Sequence, residues 1–418
     1  MKELKTLPIL VPDDYKYELP KMHKIRQTFN DENLENVKQR VIEEIQKEII
    51  ASKIKKNQRI AVAVGSRGIN NLFLIVKTVI EELKKMGADP FIVSAMGSHG
   101  GGSEEGQKEV LDGYGITKEN LGVDVITTVD VEKIGETSKG FSVYFDKVAL
   151  GADLIIPINR IKLHTDFVGD LQSGLCKMLV IGLGNHIGCS SIHEEDPKVF
   201  ASILEEATEI ILSKANVGFG VGIIENAYDK TLAVEAVPRE NLILREKELL
   251  KIAKKNMPIL SVNDIDVLIV EEIGKNISGA GYDPNILGKS SVLEEFVLHV
   301  PKIQKMVLLD ITDVSHGNGI GVGLFDVITK NVFEKLDLES MYANAIACKC
   351  IEDAKIPIMV DTEDECIRVA LKACRGLDFD NLKIARIKNT LDLEYIYVSE
   401  GILKELDDFE NIQICENN

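Results

Sequence analysis

The chain has 418 residues, 45% hydrophobic and 28% charged, enough for about two or three folded domains with a real core. A formal net charge of −18 argues against nucleic-acid and anionic-membrane partners, which need clustered Lys and Arg, and obliges an anionic substrate to find a local basic site. With no Trp, an aromatic pocket wall has to come from the 9 tyrosines or 13 phenylalanines.

In chain order, the opening MKELKTLPILVPDDYKYELP is too charged and too broken by proline for a signal peptide. No run of about 18 apolar residues offers a membrane span. The seven cysteines, odd in number and without zinc-ribbon spacing, fit reduced thiols in a cytoplasmic protein. Residues 60–64 form an apolar strand that meets Gly65; a helical pattern covers 70–86, and 90–95 is a second strand. Strand–helix–strand units build parallel sheets whose ligands sit at the carboxyl ends of the strands. A third strand, 153–158, runs into Asn159-Arg160-Ile161-Lys162-Leu163-His164, and the small, apolar, Gly-rich stretch 169–188 reads as a helix entering a buried loop. A helix over 196–214, strands over 218–224 and 232–237 and a helix over 239–255 follow. The pattern resets near Met257-Pro258. Beyond it, 266–270, 305–309, 356–360, 383–387 and 395–398 read as strands, with helices over 324–336, 341–353 and 363–374. The expected fold class is α/β: two α/β domains, residues 1–260 and 261–418, with mainly parallel sheets and an active-site cleft between them.

Two segments sit where strands end: Gly65-Ser66-Arg67-Gly68 and Gly97-Ser98-His99-Gly100-Gly101-Gly102. The first can form an anion nest of backbone N–H groups plus one guanidinium, or be a tight turn with a surface arginine; its Gly-x-x-Gly spacing is not a dinucleotide fingerprint. A lone histidine is more often structural than functional, and His23 and His299 are read that way. His99 and His164 stand above this because each follows a strand by a few residues, so that both can project into one crevice. Lys177 lies in an otherwise apolar run, where an ammonium costs desolvation energy unless it is paired, modified or snorkelling. Lys275, in Glu271-Glu272-Ile273-Gly274-Lys275, again places charge after a strand and can reach a carboxylate.

Taken together and in order, Arg67 after the first strand, His99 in a G-S-H loop, His164, Lys177 ending Ser173-Gly174-Leu175-Cys176-Lys177, and His193 downstream resemble the active site of the nickel-pincer lactate racemase family over roughly residues 59–195. The resemblance implies that Lys177 tethers, through a thioamide, a pyridinium mononucleotide with two sulfur-bearing arms. Nickel would be held by its ring carbon, its two sulfurs and His193. It implies His99 and His164 as paired acid/base residues, Arg67 and Lys275 as holders of the substrate carboxylate, and Ser66, Gly68 and neighbouring backbone as holders of the cofactor phosphate. The activity implied is that of an isomerase, a racemase or epimerase of a 2-hydroxy carboxylate. Its partners would be a small anionic substrate and the cofactor-synthesis enzymes, and homo-oligomer formation is compatible with it. Four departures stand out. GSRG has no Asp ahead of Arg67; the gap of thirteen residues from His164 to Lys177 is a little long; His186 competes with His193 for the metal; and no Trp lines a lactate pocket. They place a larger or more polar hydroxy acid, such as a sugar acid or dicarboxylate, beside lactate as substrate.

The residue types suit that reaction. A C–H bond beside a hydroxyl and an ionised carboxylate is a very weak acid, and removing hydride avoids the carbanion. The hydroxyl proton goes to a base, a planar 2-keto acid results, and hydride returns to the other face. One base is needed on each side, and imidazole accepts and returns a proton near neutral pH. A zinc hydrolase using His99, His164 and His193, and a non-catalytic binder gripping an anion or cofactor with Arg67 and Lys275, are the competing readings; no H-E-x-x-H helix supports the first.

Overall fold

The computed structural model describes residues 14, 17–66, 68–192, 194–406 and 411–415. The chain opens with β1 (Met22–Gln27). Next come β2 (Arg59–Val64), β3 (Asp89–Ser94), β4 (Val125–Ile126), the hairpin β5 (Val131–Glu136) and β6 (Ser142–Asp146), then β7 (Leu154–Arg160), β8 (Phe219–Glu225) and β9 (Thr231–Pro238). Among the described residues these strands, β1 and the hairpin apart, make a sheet in the order β4-β3-β2-β7-β8-β9. All neighbours are parallel except β8 and β9. β2 is apolar along its length because both faces are covered, as parallel sheets require. The helix Leu72–Lys85 covers one face with Leu72, Ile75, Val76, Val79, Ile80 and Leu83, a stripe at helical spacing. Each such side chain contributes about 1.5–3 kcal/mol by leaving water.

The remaining strands are β10 (Asp264–Ile273), β11 (Lys302–Ile311), β12 (Val327–Thr329), β13 (Ile358–Val360), β14 (Ile384–Ile387), β15 (Tyr395–Ser399) and β16 (Ile412–Ile414). Their sheet runs β13-β12-β11-β10-β14-β15-β1-β16, parallel from β13 to β14 and antiparallel beyond. The α/β class with mainly parallel sheets is therefore as expected.

The sequential division into 1–260 and 261–418 needs correcting at its N-terminal end. Contacts divide the chain into residues 31–257 and a second unit made of 1–30 with 258–418. β1 fills the gap between β15 and β16, with Ile25 buried, Gln27 Nε2 donating to Leu393 O at 2.7 Å, and Arg26 paired with Glu394 at 2.8 Å. MHKIRQ carries no apolar run, so nothing in its pattern marks it as a strand. The helix expected over 324–336 is another correction. Val327, Ile328 and Thr329 form β12 between β11 and β13, where β-branched side chains pack on both faces, and only Lys330–Lys335 is helical, started by the Thr329 side chain accepting from Val332 N.

Among the described residues no single helix is long and apolar enough to cross a membrane. The segments Leu175–Gly182 and Asn185–Ile192 are together apolar enough but bend by 106° between them. Leu175, Leu179, Val180 and Ile192 are buried against the rest of their unit.

Candidate active site

In the sheet of residues 31–257 the chain leaves β2 outward to β3 and β4, then returns to lay β7 on the other flank of β2. The carboxyl ends of β2 and β7 are thus a topological switch point, the place where open parallel sheets bind ligands because the following connections diverge. Ser66 follows β2, His99 follows β3, and His164 follows β7.

Ser66 Oγ and His99 Nδ1 share a hydrogen bond. Ser66 is itself held by Tyr114, whose hydroxyl donates to Ser66 O at 2.8 Å. The serine expected at a cofactor phosphate is thus in hydrogen-bond contact with a histidine. The loop carrying His99 turns through Gly97, Gly100, Gly101 and Gly102, all with φ between 59° and 66°. Gly100 is needed twice over: its φ is left-handed, and a Cβ there would lie 2.5 Å from Gln107 N. Gly68 is exposed, and a Cβ there would meet nothing within 4 Å.

His164 is buried, 9% exposed, and stacked on Phe167 with ring centroids 4.3 Å apart. Its backbone N–H donates to Gln172 Oε1 at 2.6 Å, and its Nδ1 accepts from Asp166 N at 3.0 Å. With Nδ1 accepting, a neutral ring carries its proton on Nε2, a tautomer assigned from these partners. Nε2 meets Lys177 Nζ. The buried apolar run that made Lys177 conspicuous thus delivers its amine to an imidazole.

Lys177 is placed by a short turn. Asn159, at the end of β7, donates to Gly174 O at 2.9 Å, and Lys162 and Ser173 form an antiparallel bridge. Leu175–Lys177 then starts a helix that continues through a π-type turn, Met178–Gly182. Met178 packs so closely on Gly65 that a Cβ there would lie 3.1 Å from its Cε, which couples the turn bearing Lys177 to the end of β2. The amides that open the turn are met by Glu246, from the helix Leu242–Lys255: its Oε2 accepts Cys176 N at 2.8 Å, and Leu175 N–H also donates to it. Burial pushes this carboxyl up to about 7, against those bonds, and burial raises the Cys176 thiol well above its usual value. Asp146, which caps the turn after β6 and accepts from Asn185 Nδ2 at 3.0 Å, is pushed up to about 6 by burial.

Of the other expected site residues, Arg67 and His193 lie outside the described residues. His186 is exposed, and its ring lies against Gly102, where a Cβ would come 3.3 Å from its Nδ1. Lys275 belongs to the other unit, after β10, where its ammonium donates to Gly279 O at 2.7 Å and Asn344 Oδ1 at 2.6 Å. Sequence reasoning missed Tyr114, Gln172, Asn159 and Glu246. The last did leave a signal: it is the one charge on the face Leu242, Glu246, Leu249, Leu250, Ala253 of an amphipathic helix.

Known proteins bear on the same region. The family described as the lactate racemase N-terminal domain matches residues 4–199, which hold the Ser66–His99 and His164–Lys177 pairs. No curated protein matches the chain. The solved structure of the lactate racemase apoprotein from Thermoanaerobacterium thermosaccharolyticum is 13% identical, with a TM-score of 0.51 covering 89% of this chain and 99% of that one, and so shares its fold. Residues 4–199 thus match the lactate racemase N-terminal domain, and the chain as a whole shares the fold of the lactate racemase apoprotein.

Proposed function

We propose that the protein is a racemase or epimerase of a 2-hydroxy carboxylate, with Lys177 tethering a nickel-pincer nucleotide and His99 and His164 serving as the two acid/base groups. One observation carries the reading: two histidines, each with Nδ1 held by a neighbour, stand at strand ends around one switch point, and the second touches a half-buried lysine amine. The residues fit the group. A neutral His164 offers its Nε2–H to Lys177 Nζ, which is complementary to an uncharged amine, the nucleophilic form that a covalent tether requires. When bound, that cofactor supplies a hydride acceptor and a nickel centre needing one imidazole, for which His193 is the candidate.

The chain's own residues do the rest. Conversion of the Lys177 amine to a thioamide would end its contact with His164 Nε2, and the ring would then take the substrate's hydroxyl proton at Nε2 in the tautomer that carries its own proton on Nδ1. His99, held through Nδ1 by Ser66, does the same for the opposite configuration. Arg67 is the cation for the carboxylate; a bidentate guanidinium would hold it while the planar 2-keto acid turns. Phe167 behind His164 keeps water from that side of the ring. A zinc hydrolase fits less well, because His164 presents Nε2 to an amine and Nδ1 to a backbone N–H, leaving no nitrogen for a metal. The cofactor-synthesis enzymes as partners and a reducing, cytoplasmic setting belong to the same proposal; no disulfide joins the described cysteines.

Intact mass of protein made together with cofactor-synthesis enzymes tests the tether. An added mass present in the wild type and lost in Lys177→Ala is the expected result, followed by interconversion of enantiomers in a panel of 2-hydroxy acids. Unmodified wild-type protein under those conditions overturns it.

A further inference from the structure

We propose that Glu246 is a positioning residue for Lys177: its buried carboxylate holds the amides that open the Lys177 turn and thereby sets where the lysine amine points. The role rests on Lys177 being the tether. Glu246 is 1% exposed; its Oε2 accepts Cys176 N at 2.8 Å, while Oε1 has no hydrogen-bond partner. The groups facing it are few: the Leu175 amide, and the Cys176 amide and thiol, with Glu205 of the helix Phe200–Lys214 adding negative field at Cys176. Glu205 is itself paired with Lys247 at 2.7 Å, and among the described residues no cation acts on the Glu246 carboxyl. A buried carboxylate without a counter-charge is an expensive way to fill a helix face, and an apolar side chain would serve stability better. What the carboxylate does that leucine would not is fix two amides within two residues of Lys177.

Gly174 makes the approach feasible. A Cβ there would lie 2.2 Å from Glu246 Oε1 and 2.6 Å from its Cδ, although φ of 173° is open to any residue. The glycine of Ser173-Gly174-Leu175-Cys176-Lys177 is thus explained by the carboxylate and not by backbone conformation. The turn is then clamped from two sides: Asn159 holds Gly174 O from β7, and Glu246 holds the next two N–H groups from the helix Leu242–Lys255.

The test compares full-length wild type with Glu246→Leu, Glu246→Gln and Gly174→Ala. Two readouts are taken: amide hydrogen exchange at Leu175 and Cys176, and the fraction of chains carrying added mass on Lys177 after production with the cofactor-synthesis enzymes. Glu246→Leu and Gly174→Ala should speed exchange at Cys176 by about tenfold or more, the worth of a charge-assisted hydrogen bond, while β2 and β7 amides stay protected. Loading should fall several-fold in both. Glu246→Gln, which keeps one acceptor oxygen, should restore most of the protection and of the loading. Exchange in Glu246→Leu within about twofold of wild type, or loading unchanged despite faster exchange, overturns the role. Should Glu246→Leu not fold, Gly174→Ala against wild type decides in the same terms. Should wild type take no added mass, the functional reading fails, and the exchange readout alone decides whether Glu246 holds the turn.

Discussion

Ser66 and His99 show how much one hydroxyl can matter. The hydroxyl fixes one ring nitrogen; on the proposed reading the ring transfers the substrate's proton, and general acid–base catalysis by such a group is worth about 10²–10⁴-fold. His99→Ala should abolish interconversion to that extent. Ser66→Ala should lower kcat about tenfold through loss of orientation while leaving KM within about twofold, in a chiral assay at saturating substrate. A KM effect with kcat intact would return Ser66 to a cofactor or substrate contact. At this scale the sequence singles out His99, His164 and Lys177, because strand ends and an apolar context mark polar side chains without knowledge of neighbours. It does not show the partners that hold them: the bonds from Ser66 to His99 and from Glu246 to Cys176 join residues 33 and 70 positions apart.

At the level of elements, the loop after β3 and the turn before Lys177 are both built on glycines that permit close approach. Gly100→Ala must adopt φ near +64° and press on Gln107 N, so it should cost roughly 2–4 kcal/mol in a denaturant titration and carry His99 activity down with it. The helix Leu242–Lys255 makes a pH prediction. Folding raises the Glu246 carboxyl from 4.5 to about 7, so the native state holds that proton more tightly than the unfolded chain. Its contribution is present below the unfolded value and is lost as pH climbs through about 7. Glu246→Gln mimics the protonated form and should gain roughly 3 kcal/mol relative to wild type between pH about 4.5 and about 8, in unfolding titrations at the two pH values. A difference that does not change with pH would mean that the carboxyl is not shifted. Parallel strands and long amphipathic helices were legible from periodicity. β1 and β12 were not, because one is too polar and the other too short, and tertiary pairing decides both.

The whole molecule is two units that are not consecutive in the chain. Residues 31–257 hold a complete sheet and should unfold cooperatively as a separate fragment, read by circular dichroism on heating. Residues 258–418 lack β1 and leave β15 with an open edge, so that fragment should melt lower and regain stability when a peptide spanning 17–30 is added. No gain on addition would mean that β1 is dispensable to its sheet. The pattern reset near Met257-Pro258 puts the expected boundary at 260/261, close to the division at 257/258, while nothing in the sequence pattern marks β1 as part of the second unit.

Chemistry gives the sharpest discrimination, in heavy water. The cofactor-loaded enzyme is given one enantiomer of a 2-hydroxy acid that it accepts, and the product is analysed for configuration and for deuterium at the second carbon. Inversion with the original hydrogen retained is what the proposed hydride transfer to and from the cofactor would require, the two imidazoles moving only the hydroxyl proton. Deuterium built into that carbon, or configuration left unchanged across the whole panel of acids, would contradict it.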